Sequence, residues 1–267
     1  MPALMDLLPV TLQAIFIAIV ICLTLTEDQR KTARLQAHTS SAARLSTYKR
    51  GIATWWAYAF TAGLLIHPPQ LFIAAGAKND MAWLNNSQLA AGVAITVLVI
   101  YFFLAFMPAA HCIIKPQARL SYWKELRNYY FLFPVSKQER RWWILLSLTA
   151  GICEEIFFRG LLLQFIQGQS HANWHVDLNV ALIISALVFG ICHYYQGISG
   201  IIRTTIGGLL FGLLTILTNS LWLSILLHVL VDLVVLVIYK PEEDFSESAA
   251  RLVVGCEPGV MDGWTRI

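Results

Sequence analysis

Charge is scarce in this sequence. Only 13% of its 267 residues are Asp, Glu, Lys or Arg, about half the share found in an average soluble domain. That scarcity excludes a disordered polar chain and a nucleic-acid-binding domain with a basic face. It also argues against a soluble enzyme. The chain contains no CxxC and no HExxH, so the spacings of a zinc ribbon and of a helix-borne zinc protease are both missing. The cysteines, Cys22, Cys112, Cys153, Cys192 and Cys256, are odd in number and far apart. They do not suggest a disulfide framework and read as small, buried, inert side chains. There is no internal repeat and no low-complexity linker, so one membrane domain is the simplest organisation.

Apolar residues are abundant, at 57%, and they come in long runs. A membrane-crossing helix needs about 20 mostly apolar residues. Seven stretches qualify, at roughly 7–25, 52–74, 89–108, 142–166, 178–194, 199–217 and 221–239. The first has no basic segment before it, carries Asp6, and runs into a basic stretch without a small-residue cleavage site. It reads as an uncleaved helix rather than a signal peptide. His67-Pro68-Pro69 interrupts the second, which should end or kink there.

Basic residues orient the spans. Arg30, Lys31, Arg34, Arg44, Lys49 and Arg50 fall in the loop 26–51, seven more in the loop 109–141, and Lys240, Arg251 and Arg266 in the tail. Lys78 stands alone on the other side, and the loop 167–177 has none. The predicted architecture is therefore an all-α, polytopic membrane helix bundle of about seven transmembrane helices, with its N-terminus outside and its C-terminus cytoplasmic. Residues 1–141 form the first three helices with basic cytoplasmic loops, 142–239 the last four helices, and 240–267 a cytoplasmic tail. Topology and anionic lipid headgroups account for the basic loops without a nucleic-acid partner. Aromatic residues between 122 and 131 suggest an amphipathic interfacial helix in the second basic loop.

Ionisable groups at membrane depth cost several kcal/mol on insertion scales, and they mark functional sites by default. Here they are Glu154, Glu155 and Arg159 in span four, His193 at the end of span five, and His228 and Asp232 in span seven. All lie in the second half. Glu155 and Arg159 are four residues apart and can pair on one helix face, whereas Glu154 lies about 100° further round. A structural staple needs one acid per base. Two acids for one arginine leave a surplus carboxylate, which suits a proton acceptor. Phe189 sits one turn before His193 and can pack beside the site. His228 and Asp232 share a face, where Asp232 can fix the His228 tautomer or project with it into a cavity. Glu154, His193, His228 and Asp232 can surround one water, or they can ligate a divalent metal such as zinc. On straight, fully spanning helices, Glu154, His193 and Asp232 fall about 18, 8 and 14 Å from the inner face. One common site therefore needs tilt, or a fifth span that starts deeper.

Three motifs stand in order: Glu154-Glu155-x-x-x-Arg159, Phe189-x-x-x-His193 and His228-x-x-x-Asp232. Together with the glycines at 197, 200, 207, 208 and 212 and the stretch Thr218-Asn219-Ser220-Leu221-Trp222, they resemble the CPBP family. These are the CAAX-protease and bacteriocin-processing membrane proteins, also called Abi, related to the type II CAAX prenyl endopeptidase. The resemblance spans about 142–232. It implies peptide-bond hydrolysis inside the membrane. Glu154 and His193 would activate the water, Arg159 and Glu155 would balance charge, and His228 and Asp232 would steady the oxyanion. An ionised Asp cannot do the last task, so Asp232 is either protonated or orients His228 and leaves the oxyanion to that ring. The family has been described both as metal-dependent and as metal-independent, and we adopt the metal-independent reading, with no cofactor required. Gly208-x-x-x-Gly212 matches the close-packing pattern of membrane helices, and Trp222 an interfacial belt position.

The expected partners are the lipid bilayer and a peptide or membrane-protein substrate. The expected location is an integral, multi-pass position in the plasma membrane if the host is bacterial. Two other classes compete. A proton- or ion-coupled transporter would use the same intramembrane Glu, His and Asp as a relay, but no inverted repeat is visible. A non-catalytic immunity or scaffold protein on the same fold would not need its motif residues intact.

Overall fold

The computed structural model describes residues 2–37, 40–66, 87–126, 129–168 and 176–240. The described residues are helical throughout, with no strand. In chain order they form α1 (Pro2–Ala37), α2 (Ser41–Leu65), α3 (Gln88–Ile114), α4 (Arg119–Leu126), α5 (Lys137–Glu155), α6 (Leu178–Cys192), α7 (Gly197–Thr218) and α8 (Trp222–Ile238). The rod that begins with α5 does not stop at Glu155. It continues through a π-helical segment, Ile156–Leu162, and a last turn, Leu163–Gln167. Gly168 closes it in the left-handed conformation, at φ 83°.

Local chemistry sets several of these ends. Ser40, Ser87 and Asp177 cap α2, α3 and α6 by accepting from backbone N–H groups two or three residues on. Ser136 and Glu139 form a reciprocal capping box at the start of α5. Helix α2 ends at Leu65, with Ile66 already extended. His67-Pro68-Pro69 lies just beyond, outside the described residues, as do Lys78, Cys256 and the tail from 241.

One expectation is corrected here. The stretch 26–51 is not a loop, because α1 runs to Ala37 and α2 starts at Ser41. Residues 27–37 are mostly good helix formers, and Glu27 and Lys31 pair at 3.0 Å across one turn. With 36 residues, α1 is about 54 Å long, well beyond a hydrocarbon core of about 30 Å. Its basic end therefore projects past the apolar layer as helix. A helix does occupy the second basic stretch, at Arg119–Leu126. Cys22 is exposed, contrary to the expectation of buried cysteines, while Cys112, Cys153 and Cys192 are buried.

The apolar character is organised for lipid. Leu8–Ala37, Gln88–Ile114 and Tyr194–Thr218 are long and apolar enough to cross a membrane. Leu178–Cys192 and Trp222–Ile238 are apolar but shorter. At 15 and 17 residues they reach about 22 and 26 Å. The outward faces of α3, α6, α7 and α8 carry exposed Val, Ile, Leu and Phe in bulk, which a water-facing surface would not sustain.

The core centres on the π-helical segment, all seven residues of which are buried. Phe157, Phe158, Leu161 and Leu162 pack with Ile17 and Val20 of α1, Ala59 and Ala62 of α2, Phe189 of α6 and Ile225 of α8. α6 packs along α7, and both α2 and α8 pack along α5. At the other end of α5, buried Arg44 of α2 bonds Glu139 at 2.9 Å. Arg140 donates to the carbonyls of Leu236 and Tyr239 at the end of α8.

Candidate active site

Glu154 and Glu155 are the last two α-helical residues before the π segment, and the wider turn that follows carries Arg159. Such π segments recur at functional sites because they re-aim side chains without breaking a helix. Arg159 Nη1 donates to Glu155 Oε1 at 2.9 Å, and Nη2 donates to the Gly208 carbonyl at 3.1 Å. Its guanidinium carbon lies 4.6 Å from the Phe189 ring centre, with the Phe211 and Phe158 rings at 5.8 and 6.0 Å. An aromatic cage thus replaces the water this cation would otherwise need.

His228 of α8 joins the same group. Its Nδ1 is 2.8 Å from Glu155 Oε1. Because that carboxylate only accepts, Nδ1 is assigned as the donor. Its Nε2 is 4.0 Å from Glu154 Oε2 and 4.0 Å from Asp232 Oδ2. These gaps are too long for direct hydrogen bonds and suit an intervening water. The Phe211 ring stacks on the imidazole at 5.0 Å and 17°. Phe211 is held in turn by Ser224, whose hydroxyl donates to the Phe211 carbonyl at 3.1 Å and lies 2.7 Å from the Thr215 hydroxyl.

Glu154 differs from Glu155 in its company. Oε2 of each is buried with no hydrogen-bond partner among the described residues, but Glu155 has Arg159 and His228 on its Oε1, whereas Glu154, 7% exposed, has no such anchor. A buried polar atom left in this state is costly unless something enters to use it. Asp232 is half-buried at the edge of the group, its side chain 34% exposed. The sequence motifs thus bring Glu154, Glu155, Arg159, His228 and Asp232 together.

His193 stands one step apart. It caps α6, and its Nδ1 is 2.8 Å from the Phe189 carbonyl. That acceptor fixes the Nδ1–H tautomer, so the Nε2 lone pair points away and is available to accept. The Phe189 ring lies between the two histidines, 4.6 Å from the His193 ring and 6.2 Å from that of His228. α6 is only 15 residues long, so His193 need not sit at the depth that a full span would give it.

Several supporting residues carry no motif signal. Phe211, Ser224 and Thr215 are ordinary apolar or small residues of a membrane helix. The Gly208 carbonyl is backbone. The glycines do their expected packing work. A Cβ on Gly212 would lie 2.3 Å from Leu182, and one on Gly208 would lie 3.2 Å from the Ala186 backbone. Gly151 belongs to no motif, yet α8 crosses α5 there, and a Cβ would come within 2.9 Å of the Val229 nitrogen.

No group of three or more His, Cys, Asp or Glu side chains is arranged to hold a metal ion among the described residues. In the alternative ligand set Glu154, His193, His228 and Asp232, each imidazole has Nδ1 engaged, by Glu155 and by the Phe189 carbonyl, and keeps Nε2 free.

Residues 137–234 match the family model described as type II CAAX prenyl endopeptidase Rce1-like. That segment, which begins at α5 and ends within α8, carries every residue of the cluster and is similar to the CAAX-protease family. No curated protein and no solved structure matches the chain.

Proposed function

We propose that this chain is an intramembrane endopeptidase that hydrolyses a peptide bond with a water activated by Glu154, assisted by His193. The observation that carries the proposal is the buried, unpartnered Glu154 carboxylate oxygen 4.0 Å from His228 Nε2. The Rce1-like domain supports it. Glu154 takes a proton from water as the water oxygen attacks the substrate carbonyl carbon. The carbonyl oxygen becomes negative, and His228 is the imidazole available to steady it. The C–N bond then breaks and the proton passes to the departing amine nitrogen. Arg159 neutralises Glu155 and so keeps it out of the proton traffic. Glu155 in turn orients His228, while Asp232 and Phe211 flank the ring. No step needs a metal.

The protein is an integral membrane protein, and we assign it seven spans with the N-terminus outside and the C-terminus in the cytoplasm. The excess of basic residues in 26–51, 109–141 and the tail, against Lys78 alone on the other side, supports this topology. Its substrate is a membrane-embedded peptide or protein segment, with prenylated CAAX tails as one class and leader or signalling peptides as another. Comparing peptide termini in membranes carrying wild type or Glu154→Gln tests the assignment. Termini made only by the wild type are expected. Identical termini in both would overturn it, and Glu154-dependent ion flux without cleavage would favour a transporter.

A further inference from the structure

The Rce1-like segment begins at residue 137, yet one hydroxyl from outside it lies against the helix that borders the site. Tyr101 lies near the middle of α3, a helix packed on both α7 and α8. Its neighbours on one side are apolar: Leu98, Leu210 and Leu214, with the Phe102 ring at 5.1 Å. Its hydroxyl is directed elsewhere. A Cβ built on Gly207 would lie 3.0 Å from the Tyr101 oxygen, so the phenol sits closely over that glycine. The carbonyl of the next residue, Gly208, accepts from Arg159. The phenol and the guanidinium therefore meet the same pair of glycines.

Phe102, the next residue of α3, lies 5.7 Å from Phe211, the ring that stacks on His228. The Tyr101 hydroxyl makes no hydrogen bond among the described residues, although a tyrosine hydroxyl in an apolar surround ordinarily finds a partner. It is half-buried, donor-capable and uncommitted, beside a site whose chemistry generates an oxyanion.

We propose that Tyr101 is a further catalytic residue, its hydroxyl donating a hydrogen bond to the reacting carbonyl oxygen of the substrate. This rests on the hydrolase assignment above. It also answers a difficulty within that assignment. An ionised Asp232 cannot donate to an oxyanion, whereas a phenol hydroxyl can. The donor gains most as charge develops on the oxygen, so its loss falls on kcat more than on KM.

The test uses the full-length protein in membranes, with termini profiling of wild type, Glu154→Gln and Tyr101→Phe. Termini present in wild type and lost in Glu154→Gln define the cleavage. A synthetic peptide spanning one such terminus is then the probe for rates in detergent. Tyr101→Phe keeps the ring and its packing. It is expected to lower kcat on that peptide by roughly a hundredfold, the scale of one lost oxyanion donor, with KM and melting temperature close to wild type. Gly207→Ala, which forces the hydroxyl aside, is expected to give a smaller loss in the same parameter. Wild-type kcat in Tyr101→Phe overturns this inference and leaves the protease assignment standing, as does a lower melting temperature accounting for the whole loss. Termini that never depend on Glu154 overturn both.

Discussion

His228 and Arg159 meet on a single atom, Oε1 of Glu155, which lies 2.8 Å from the imidazole Nδ1 and 2.9 Å from the guanidinium Nη1. The three residues come from two helices, and all are buried. Glu155 is thus the pivot that fixes a histidine and an arginine at once, and its neighbour Glu154 is left free for chemistry.

Replacing the two glutamates should separate structure from catalysis. Glu155→Ala strands a buried cation and releases His228. It should cost on the order of 3–5 kcal/mol of stability, as for other broken buried pairs. Glu154→Gln gives up no hydrogen bond, so it should stay within about 1 kcal/mol of wild type while cleavage stops. Unfolding in detergent and termini profiling of both variants check this. Equal stabilities would show that Glu155 is not the pivot.

The crossing of α5 and α8 is tight enough to register one methyl group. In Gly151→Ala the new carbon would fall 2.4 Å from Val229 Cγ2 and 2.9 Å from the Val229 nitrogen. Backbone cannot step aside as a side-chain tip can, so α8 must shift, carrying His228 and Asp232 with it. We expect a loss of about 1–3 kcal/mol together with slower cleavage. A fully active, equally stable variant would show that the helices do not approach this closely.

Glu139, ahead of the span that begins near residue 142, gives a pH signature. Burial pushes its carboxyl up, but hydrogen bonds from Arg44, Ser41 and the Val135 N–H, with the Arg44 charge, outweigh it and hold the group below its ordinary value of 4.5. A carboxyl depressed in the folded state stabilises the fold above its unfolded value. That contribution fades as pH falls through the lower folded value. Melting temperature should therefore drop more steeply below about pH 4.5 in wild type than in Glu139→Gln. Parallel curves would remove Glu139 from the acid response.

Cleavage should survive a strong chelator. In the proposed mechanism the Glu154 carboxylate takes the proton from water itself, and no step passes through a metal. Rates measured with and without chelator on the same peptide decide the point. Loss of activity that returns on adding zinc would reassign Glu154, His193, His228 and Asp232 as ligands.

Much of the site was readable because ionisable residues in an apolar chain are conspicuous. Glu155 and Arg159 pair as their four-residue spacing implied. Glu154 stays out of that pair, yet both glutamates approach the same His228 ring, one at Nε2 and the other at Nδ1. Gly208 and Gly212 mark close helix packing. Tyr101, Phe211 and Ser224 carried no such signal, because each looks like an ordinary occupant of a membrane helix until its neighbours across the interface are known. The length of α1 is not legible from hydropathy for a different reason. A charged stretch after an apolar run looks like a loop, although Glu, Lys and Arg are good helix formers wherever water can reach them.

Local and linear properties were set by the order of residues alone. They are helical structure, lipid-facing surfaces, the gathering of basic residues at chosen ends, and which carboxylate an arginine four places on will neutralise. Each depends on periodicity or hydropathy within one segment. The shared oxygen of Glu155, the stacking of Phe211 on His228, the position of His193 behind Phe189 and the arrival of a phenol from α3 were decided only by packing. They depend on depth, crossing angle and one π-helical turn, which no single helix specifies.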